Sequence, residues 1–355
     1  MNSTQILVEP EAVEGGGASR DGESAGHPRR WWVLAVLCLS LFLVVVDNTI
    51  VNVALPTLSA DLDASTTQLQ WIVDAYTLVF ASLLLAFGHF GDRFGRRGAL
   101  ALGLVLFGAT SALAAFATSA GALIGVRALM GVGAALVFPA TLAILMNVFT
   151  DKKQRAAAIG IWSGATGMAV AAGPVAGGFL LEHFWWGSVF LVNVPIVVLA
   201  VVAVMAVVPT SKDPNSGRLD WFGLVLSVAS IGLLVWSIIE GPRLGWTSPA
   251  IVVGGVSAIA LLATFIWWER RVSHPLLDVS LFGNARFSAA SVTIATAFFG
   301  LFGFIFMITQ YMQLVLGYSP LEAGLRTVPF AVATGVCSPL SIALMHRFGS
   351  KLVVF

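Results

Sequence analysis

The sequence has few of the residues on which disulfide-linked domains, metal centres and soluble enzymes depend. Only 10% of its 355 residues are charged, its formal net charge is +1, and it has two cysteines. Both of them, Cys38 and Cys337, lie within apolar runs, which excludes a disulfide framework and a cysteine-based metal site. The sequence has no G-x-x-x-x-G-K-[ST] motif, which excludes ATP-driven pumping by this chain. We therefore expect no cofactor, no metal and no enzymatic activity.

Long apolar runs make up most of the chain. Hydrophobic residues account for 58% of it and the mean hydropathy is +0.91, whereas about 25% of the residues of a soluble domain are charged. Apolar runs of about 20 residues cross the hydrocarbon core of a bilayer as helices. The sequence therefore predicts an all-α polytopic membrane protein with ten spans, at residues 32–54, 71–90, 99–118, 121–146, 156–180, 189–208, 219–239, 250–268, 287–314 and 322–345.

The distribution of lysine and arginine predicts the orientation of these spans. Sixteen of the 19 such residues lie in the N-terminal tail and in every second connector, as the positive-inside rule requires of cytoplasmic segments. The tail, residues 1–28, is acidic and rich in glycine and serine, so we predict a disordered cytoplasmic segment and not a signal peptide. The chain is then a multi-pass protein of the cell membrane, which we assign to the inner membrane of a bacterium.

The connector between the second and third spans carries a specific motif. Residues 88–97 follow the pattern G-x-x-x-D-R-x-G-R-R, with the defining residues Gly88, Asp92, Arg93, Gly95 and Arg96. The glycines permit a tight turn and the arginines anchor it in the cytoplasm. An ordinary positive-inside loop would explain the arginines but not Gly88, Asp92 and Gly95 together. The motif resembles the signature loop of the major facilitator superfamily, and the resemblance implies that Asp92, with Arg93 and Arg96, forms a gating latch at the inner face.

Three further stretches resemble motifs of this superfamily and of one of its branches, the fourteen-helix drug:proton antiporters. Asp47 to Pro56 is similar to the first-helix motif of that branch, and residues 123–135, with Arg127, are similar to the fourth-helix motif of the superfamily. The fifth span resembles the antiporter motif, which marks exporters more than importers, in Gly164, Gly173, Pro174, Gly177 and Gly178. Close helix packing through small residues is the general alternative, but it does not account for Gly-Pro-x-x-Gly-Gly in mid-span.

An internal repeat indicates the domain organisation. Residues 92–97 recur at 346–351, an offset of 254, and the first and ninth spans are about equally far apart. The resemblance implies a major facilitator fold with a six-helix N-terminal half at 29–210, two inserted helices at 211–270 and an incomplete C-terminal half at 271–355. The last part would hold helices nine and ten and the start of helix eleven, so we expect a truncated chain that lacks four helices of the second half.

Three charged residues inside the spans are the candidates for function. Asp47, Asp74 and Arg127 lie at similar depths on the first, second and fourth spans, and a charge in hydrocarbon usually faces a partner or a watery cavity. Burial and a neighbouring arginine act in opposite directions on a carboxylate, and proton coupling needs such a competition. The resemblance links acids at the positions of Asp47 and Asp74 to coupling or to cation recognition. A static ion pair, with Asp74 merely solvated at the interface, is the alternative.

The motifs together imply a secondary transporter that exports drugs, antibiotics or similar small apolar compounds, driven by a proton gradient in place of a cofactor. Its partners would be the small-molecule substrate, protons and the lipid bilayer, with no nucleic acid, and the protein would be a monomer. An importer or symporter of the same superfamily is the alternative that the antiporter motif argues against. A truncated chain without transport activity of its own is a further alternative.

The charge distribution predicts which connectors face the cytoplasm. In a variant without Cys38 and Cys337, a single cysteine introduced as Ser65→Cys should react with an impermeant thiol reagent added to intact cells, because its connector is placed outside. A single cysteine introduced as Gly98→Cys should react only after the cells are opened. Labelling of the Gly98→Cys variant in intact cells would overturn the orientation.

Overall fold

A computed structural model describes residues 28–212, 220–273, 275–330 and 333. In this part of the chain all regular elements are helical, and nine helical stretches are long and apolar enough to cross a membrane. The elements are α1 (Arg30–Asp61), α2 (Thr66–Phe94), α3 (Arg96–Ala115), α4 (Ala120–Val148), α5 (Lys152–His183), α6 (Ser188–Leu191), α7 (Asn193–Val207), α8 (Trp221–Leu244), α9 (Pro249–Glu269), a 3₁₀ turn (Val279–Gly283), α10 (Ala285–Gln310) and a π-helical turn (Tyr311–Val315). α6 and α7 together form the sixth span.

Several predicted features lie wholly or partly outside the described residues. Residues 1–27 of the predicted disordered tail are outside them, and so is the second copy of the repeat at 346–351. Of the tenth predicted span, only residues 322–330 and 333 are described. They are helical, and the helix already includes residues 320 and 321.

Side chains in the short connectors cap several of the helices and so determine where these begin. Ser65 accepts a hydrogen bond from the backbone N–H of Gln68, and the Gln68 side chain accepts one from the N–H of Ser65. Ser119, Asp151 and Ser248 cap α4, α5 and α9 through their side-chain oxygens. Each cap satisfies an N–H group that the helix itself leaves free. Polar residues between the apolar runs therefore set the starts of these four helices.

Several predicted span boundaries lie inside the observed helices, and two of these differences change the description of the connectors. The sequence places the end of the first span at residue 54, whereas α1 continues through Pro56 to Asp61. The connector at 88–97 is not a loop, because α2 is helical as far as Phe94 and a single residue, Gly95, separates it from α3. Gly95 has a φ of +119°, which side chains of L-residues rarely adopt. One glycine therefore makes the whole turn.

α1 lies at the centre of the packed core. It contacts α2, α4, α5, α7 and α10, and most of its second half is buried. α2 crosses α4 at Gly131, where a Cβ atom would lie 2.6 Å from the carbonyl oxygen of Tyr76. α3 crosses α4 at Gly133, where a Cβ atom would lie 2.8 Å from the backbone nitrogen of Phe107. Small residues matter at these crossings because close van der Waals packing associates helices in lipid.

α8 and α9 form a hairpin that contacts the rest of the bundle mainly along α2. The indole N–H of Trp71 on α2 donates to Glu240 Oε1 at 3.0 Å, and Arg243 Nε donates to Glu240 Oε2 at 2.7 Å. Glu240 is 8% exposed, so this carboxylate is satisfied from both helices. The division of the chain into a six-helix half, an insertion and a second half stays a prediction.

The close crossing of α2 and α4 makes Gly131 sensitive to substitution. Gly131→Ala places a methyl group against the Tyr76 carbonyl and should lower the free energy of unfolding by about 1–3 kcal/mol, the usual effect of overpacking. Gly125 on the same helix faces open space, so Gly125→Ala is the matched control and should not destabilise the protein. Thermal unfolding of both variants in detergent measures the difference. Equal midpoints would contradict the close crossing.

Candidate functional site

A buried ion pair joins α1 to α4. Arg127 Nη1 donates to Asp47 Oδ2 at 2.5 Å, and neither side chain is exposed. Asn193, at the start of α7, donates from Nδ2 to Asp47 Oδ1 at 3.0 Å. Each carboxylate oxygen therefore has its own donor, which a buried charge needs in order to be tolerated.

Other contacts of Arg127 extend the network to α2. Its Nε donates to the carbonyl oxygen of Ile72 at 3.0 Å, and its guanidinium carbon lies 4.3 Å from the centroid of the Tyr76 ring. The Tyr76 hydroxyl in turn donates to the carbonyl oxygen of Val44 on α1 at 3.0 Å. One arginine thus links α1, α2 and α4.

Asn193 is the member of this network that sequence reasoning missed. Its Nδ2 also lies 3.0 Å from Ser111 Oγ, which donates to the carbonyl oxygen of Phe190 at 2.8 Å, so α3 and α6 are joined to the pair. Its signal in the sequence is an amide within an apolar run, two residues before Pro195. A polar side chain in hydrocarbon indicates a partner, but the sequence does not identify that partner.

Asp74 lies apart from the ion pair, on an open cleft between α1, α2 and α10. One wall of the cleft, on α1 and α2, is mainly polar, and the other, on α10, is mainly aromatic. They are formed by Asn48, Asn52, Gln70, Asp74 and Thr77 on one side and by Phe298, Phe299, Phe302 and Phe306 on the other. Within the described chain Asp74 has no hydrogen bond or ion pair. The structure therefore brings Asp47 and Arg127 together and leaves Asp74 on the cleft.

The signature motif lies where α2 meets α3 and packs against α4. Arg96 Nε donates to Asp92 Oδ1 at 2.7 Å, and Arg96 Nη1 donates to the carbonyl oxygen of Ala143 on α4 at 3.4 Å. A Cβ atom at Gly88 would be in ordinary contact with α4, and the Arg93 guanidinium lies over the ring of the next residue. The structure thus brings Asp92 and Arg96 together, while gating by these residues stays a prediction.

Two glycines of the antiporter motif lie where α5 crosses α1. A Cβ atom at Gly173 would collide with the Thr49 side chain, and one at Gly177 would lie 2.7 Å from Ile50 Cγ1. Both positions need glycine because the backbones of the two helices approach too closely for a side chain. The crossing is part of the buried core around α1.

The other residues of the antiporter motif face the helical segment 320–330 or open space. A Cβ atom at Gly178 would lie 2.6 Å from the Cα atom of Leu321, and one at Gly324 would collide with the carbonyl oxygen of Pro174. The motif therefore joins α5 to two helices far apart in the sequence. Gly164 contacts neither of them, since a Cβ atom there would meet nothing within 4 Å.

Comparisons with known proteins agree with this architecture. The family model described as Major Facilitator Superfamily matches residues 37–240. The chain is 43% identical over 320 residues to the multidrug efflux pump LfrA of Mycolicibacterium smegmatis, which covers 90% of this chain and 63% of that protein. It is 38% identical to the methyl viologen resistance protein SmvA of Salmonella typhimurium, with 92% of this chain and 66% of that protein covered. The chain thus spans less than two thirds of the length of these relatives.

A solved structure shows the same fold. A crystal structure of the peptide transporter POT in complex with sulfate superimposes with a TM-score of 0.63 at 17% sequence identity, over 91% of this chain and 70% of that chain. The likeness confirms the predicted all-helical fold of a membrane transporter, and at this identity it concerns the fold alone.

The buried ion pair predicts a non-additive response to mutation. Asp47→Leu alone leaves a buried guanidinium without its counter-charge and should destabilise the protein by about 3–5 kcal/mol. Asp47→Leu combined with Arg127→Leu removes both charges and should recover most of that loss. Unfolding midpoints of the wild type, both single variants and the double variant measure the coupling. Simply additive losses would show that the pair contributes little to stability.

Proposed function

Because the chain belongs to the Major Facilitator Superfamily, we propose that it is a secondary transporter that exports drugs, antibiotics or similar small, largely apolar compounds in exchange for protons. Proteins of this family are membrane transporters, and the names of the relatives, an efflux pump and a resistance protein, support export. A proton gradient would supply the energy. We further propose a monomer with its N-terminus in the cytoplasm and its spans in the inner membrane of a bacterium.

The two-walled cleft is the observation that carries this proposal. It brings Asp74 and four phenylalanines of α10 to the lining of one cleft. An aromatic wall stacks on flat apolar molecules and attracts cations through its ring faces, and the carboxylate adds the complementary charge. The cleft therefore suits flat aromatic compounds that carry a positive charge. The name of the relative SmvA, a methyl viologen resistance protein, supports this class.

Asp74 is the better candidate of the two acids for proton coupling. Its side chain lies on the cleft and has no partner in the described part of the chain, so it can take up either a proton or a cationic substrate. Because each neutralises the same charge, one displaces the other, and such displacement is what an exchanger needs. Asp47 is fully buried and held by Arg127 and Asn193, which favours the static ion pair for that acid.

Two alternatives differ from this proposal in direction or in activity. An importer or symporter of the same superfamily would accumulate the substrate in the cytoplasm, whereas the proposed exporter removes it from there. A chain without transport activity of its own would do neither. The glycines that pack α5 against α1 and the segment 320–330 favour export only through their resemblance to the antiporter motif.

The coupling role of Asp74 predicts the behaviour of its amide variant. Asp74→Asn should abolish proton-driven uphill efflux of a fluorescent aromatic cation such as ethidium from proteoliposomes, because an amide side chain does not ionise near neutral pH and cannot carry a proton through the cycle. Movement of the same cation down its own gradient should persist, and Asp74→Glu should retain part of the uphill activity. Asp278→Asn, in the exposed segment before α10, is the matched control and should behave as wild type.

Each outcome of this assay decides between the alternatives. Uphill efflux by Asp74→Asn with an unchanged pH dependence would refute the coupling role. Gradient-driven movement of the cation in the opposite direction by the wild type would identify an importer. No gradient-dependent movement by the wild type would identify a chain that is inactive alone.

A further inference from the structure

Pro56 leaves one carbonyl group of α1 without its helical donor. In an α-helix each N–H donates to the carbonyl oxygen four residues earlier, and proline has no N–H. The carbonyl oxygen of Asn52 therefore lacks its bond within α1, although the helix continues past Pro56. An unsatisfied carbonyl is costly within a bilayer. A donor from a neighbouring helix is therefore expected at this point.

Thr309 of α10 supplies this donor. Its Oγ1 lies 3.3 Å from the carbonyl oxygen of Asn52 and 3.1 Å from that of Ile305 in its own helix, and the residue is fully buried. A hydroxyl group has one hydrogen to donate. The Thr309 hydroxyl can therefore donate to the Asn52 carbonyl of α1 while the two helices are in contact. When they separate, it can donate to the Ile305 carbonyl of α10 instead. Only the α1 carbonyl then loses its partner.

Gln313 makes a second bond between the same helices. Its Nε2 donates to the carbonyl oxygen of Val53 at 3.0 Å. It lies in the π-helical turn that continues α10, and such wide turns are frequent at functional sites. Within the described residues, these two bonds are the hydrogen bonds that join α1 to α10. Most of α10 is unburied, so these bonds are a large part of its contact with α1.

The two bonds lie at one end of the cleft. Asn52 belongs to both features, since its side chain lines the polar wall and its carbonyl oxygen accepts from Thr309. Phe306 and Phe302 of the aromatic wall precede Thr309 by three and seven residues, which is about one and two helical turns on the same face. The attachment of α10 to α1 therefore sets the distance between the aromatic wall and the wall that carries Asp74.

We propose that Pro56, Thr309 and Gln313 are positioning residues of the transport cleft. Pro56 releases the Asn52 carbonyl, and Thr309 and Gln313 hold α10 against α1 so that a flat cation contacts both walls. The consequence for transport rests on the proposed function, whereas the attachment itself does not. When these two bonds open, the Thr309 hydroxyl keeps an acceptor in its own helix and the Asn52 carbonyl loses its donor, so the bonds favour the state in which the walls are close. A transporter has to open and close its site in every cycle.

Cross-linking tests the attachment without any transport. In a variant that lacks Cys38 and Cys337, cysteines replace Asn48 and Phe302 on the two walls, and a short bifunctional thiol reagent joins them. Thr309→Val keeps the shape of the side chain but removes the hydroxyl. It should lower the rate of cross-linking about threefold, which corresponds to the free energy of one hydrogen bond in a membrane protein.

Matched variants separate the attachment from a general disturbance of α10. The Thr296 hydroxyl bonds to the carbonyl of Val292 within α10, so Thr296→Val should leave the cross-linking rate unchanged. Thr309→Ser restores the hydroxyl and should restore the rate. Gln313→Met should act like Thr309→Val. Equal rates for Thr309→Val and Thr296→Val would overturn the proposal.

Pro56→Ala tests the role of the proline. Alanine supplies the missing N–H, so the Asn52 carbonyl is bound within α1 and Thr309 loses its acceptor. The cross-linking rate should fall as in Thr309→Val, and the two substitutions together should have no larger effect, because both act on the same bond. Additive effects would overturn the link between Pro56 and Thr309.

Transport measurements then test the consequence for the substrate. Thr309→Val and Pro56→Ala should raise the KM for efflux of the aromatic cation about threefold, the effect of losing one membrane hydrogen bond, and leave the maximal rate unchanged. An unchanged KM in both variants would overturn the positioning role. A different result is that the cross-linking rates change as expected while the wild-type protein transports nothing. That result would refute the proposed function and support the attachment.

Discussion

The arrangement of α1, α2 and α4 depends on one arginine that keeps its charge inside a bilayer. A guanidinium group is protonated under all ordinary conditions, so Arg127 is tolerated only where other helices bring acceptors to it. α1 supplies the Asp47 carboxylate, and α2 supplies the Ile72 carbonyl and the Tyr76 ring. Because these groups come from different helices, the arginine stabilises one mutual arrangement of them. The glycines at the helix crossings permit the close approach which that arrangement needs.

Features that depend on position along a single helix could be predicted from the sequence. Apolar length gave the spans, and the similar depths of Asp47 and Arg127 predicted that they could meet, as they do. The depths also predicted that Asp74 would lie close to these two residues. In the structure Asp74 forms no hydrogen bond or ion pair with either of them. Position along a helix determines depth, but the direction of a side chain around the axis depends on the neighbours of the helix. Asp74 lines the cleft together with residues of α10 and does not point toward the ion pair.

Features made by helices distant in the sequence could not be predicted. The phenylalanines of α10 resemble any apolar run until the fold places them opposite Asn48 and Asp74. The antiporter motif predicted close packing of the fifth helix, but only the structure shows that Gly173 packs on α1 and Gly178 on the segment 320–330. The short connector at 88–97 suggested a loop because of its glycines, yet Gly95 is the one residue there outside a helix.

The α8–α9 hairpin couples the bundle to the surrounding lipid. It is attached mainly along α2, through the contact of Trp71 with Glu240, and many of its other apolar side chains are exposed. When α2 tilts, α8 and α9 therefore tilt with it, and the bilayer has to adapt along all three helices. The energy of this adaptation depends on membrane thickness. Lipid composition thus affects the tilt of α2 through the lipid-facing surface of three helices. Because α2 carries Asp74, the lipid then contributes to the position of the polar wall of the cleft.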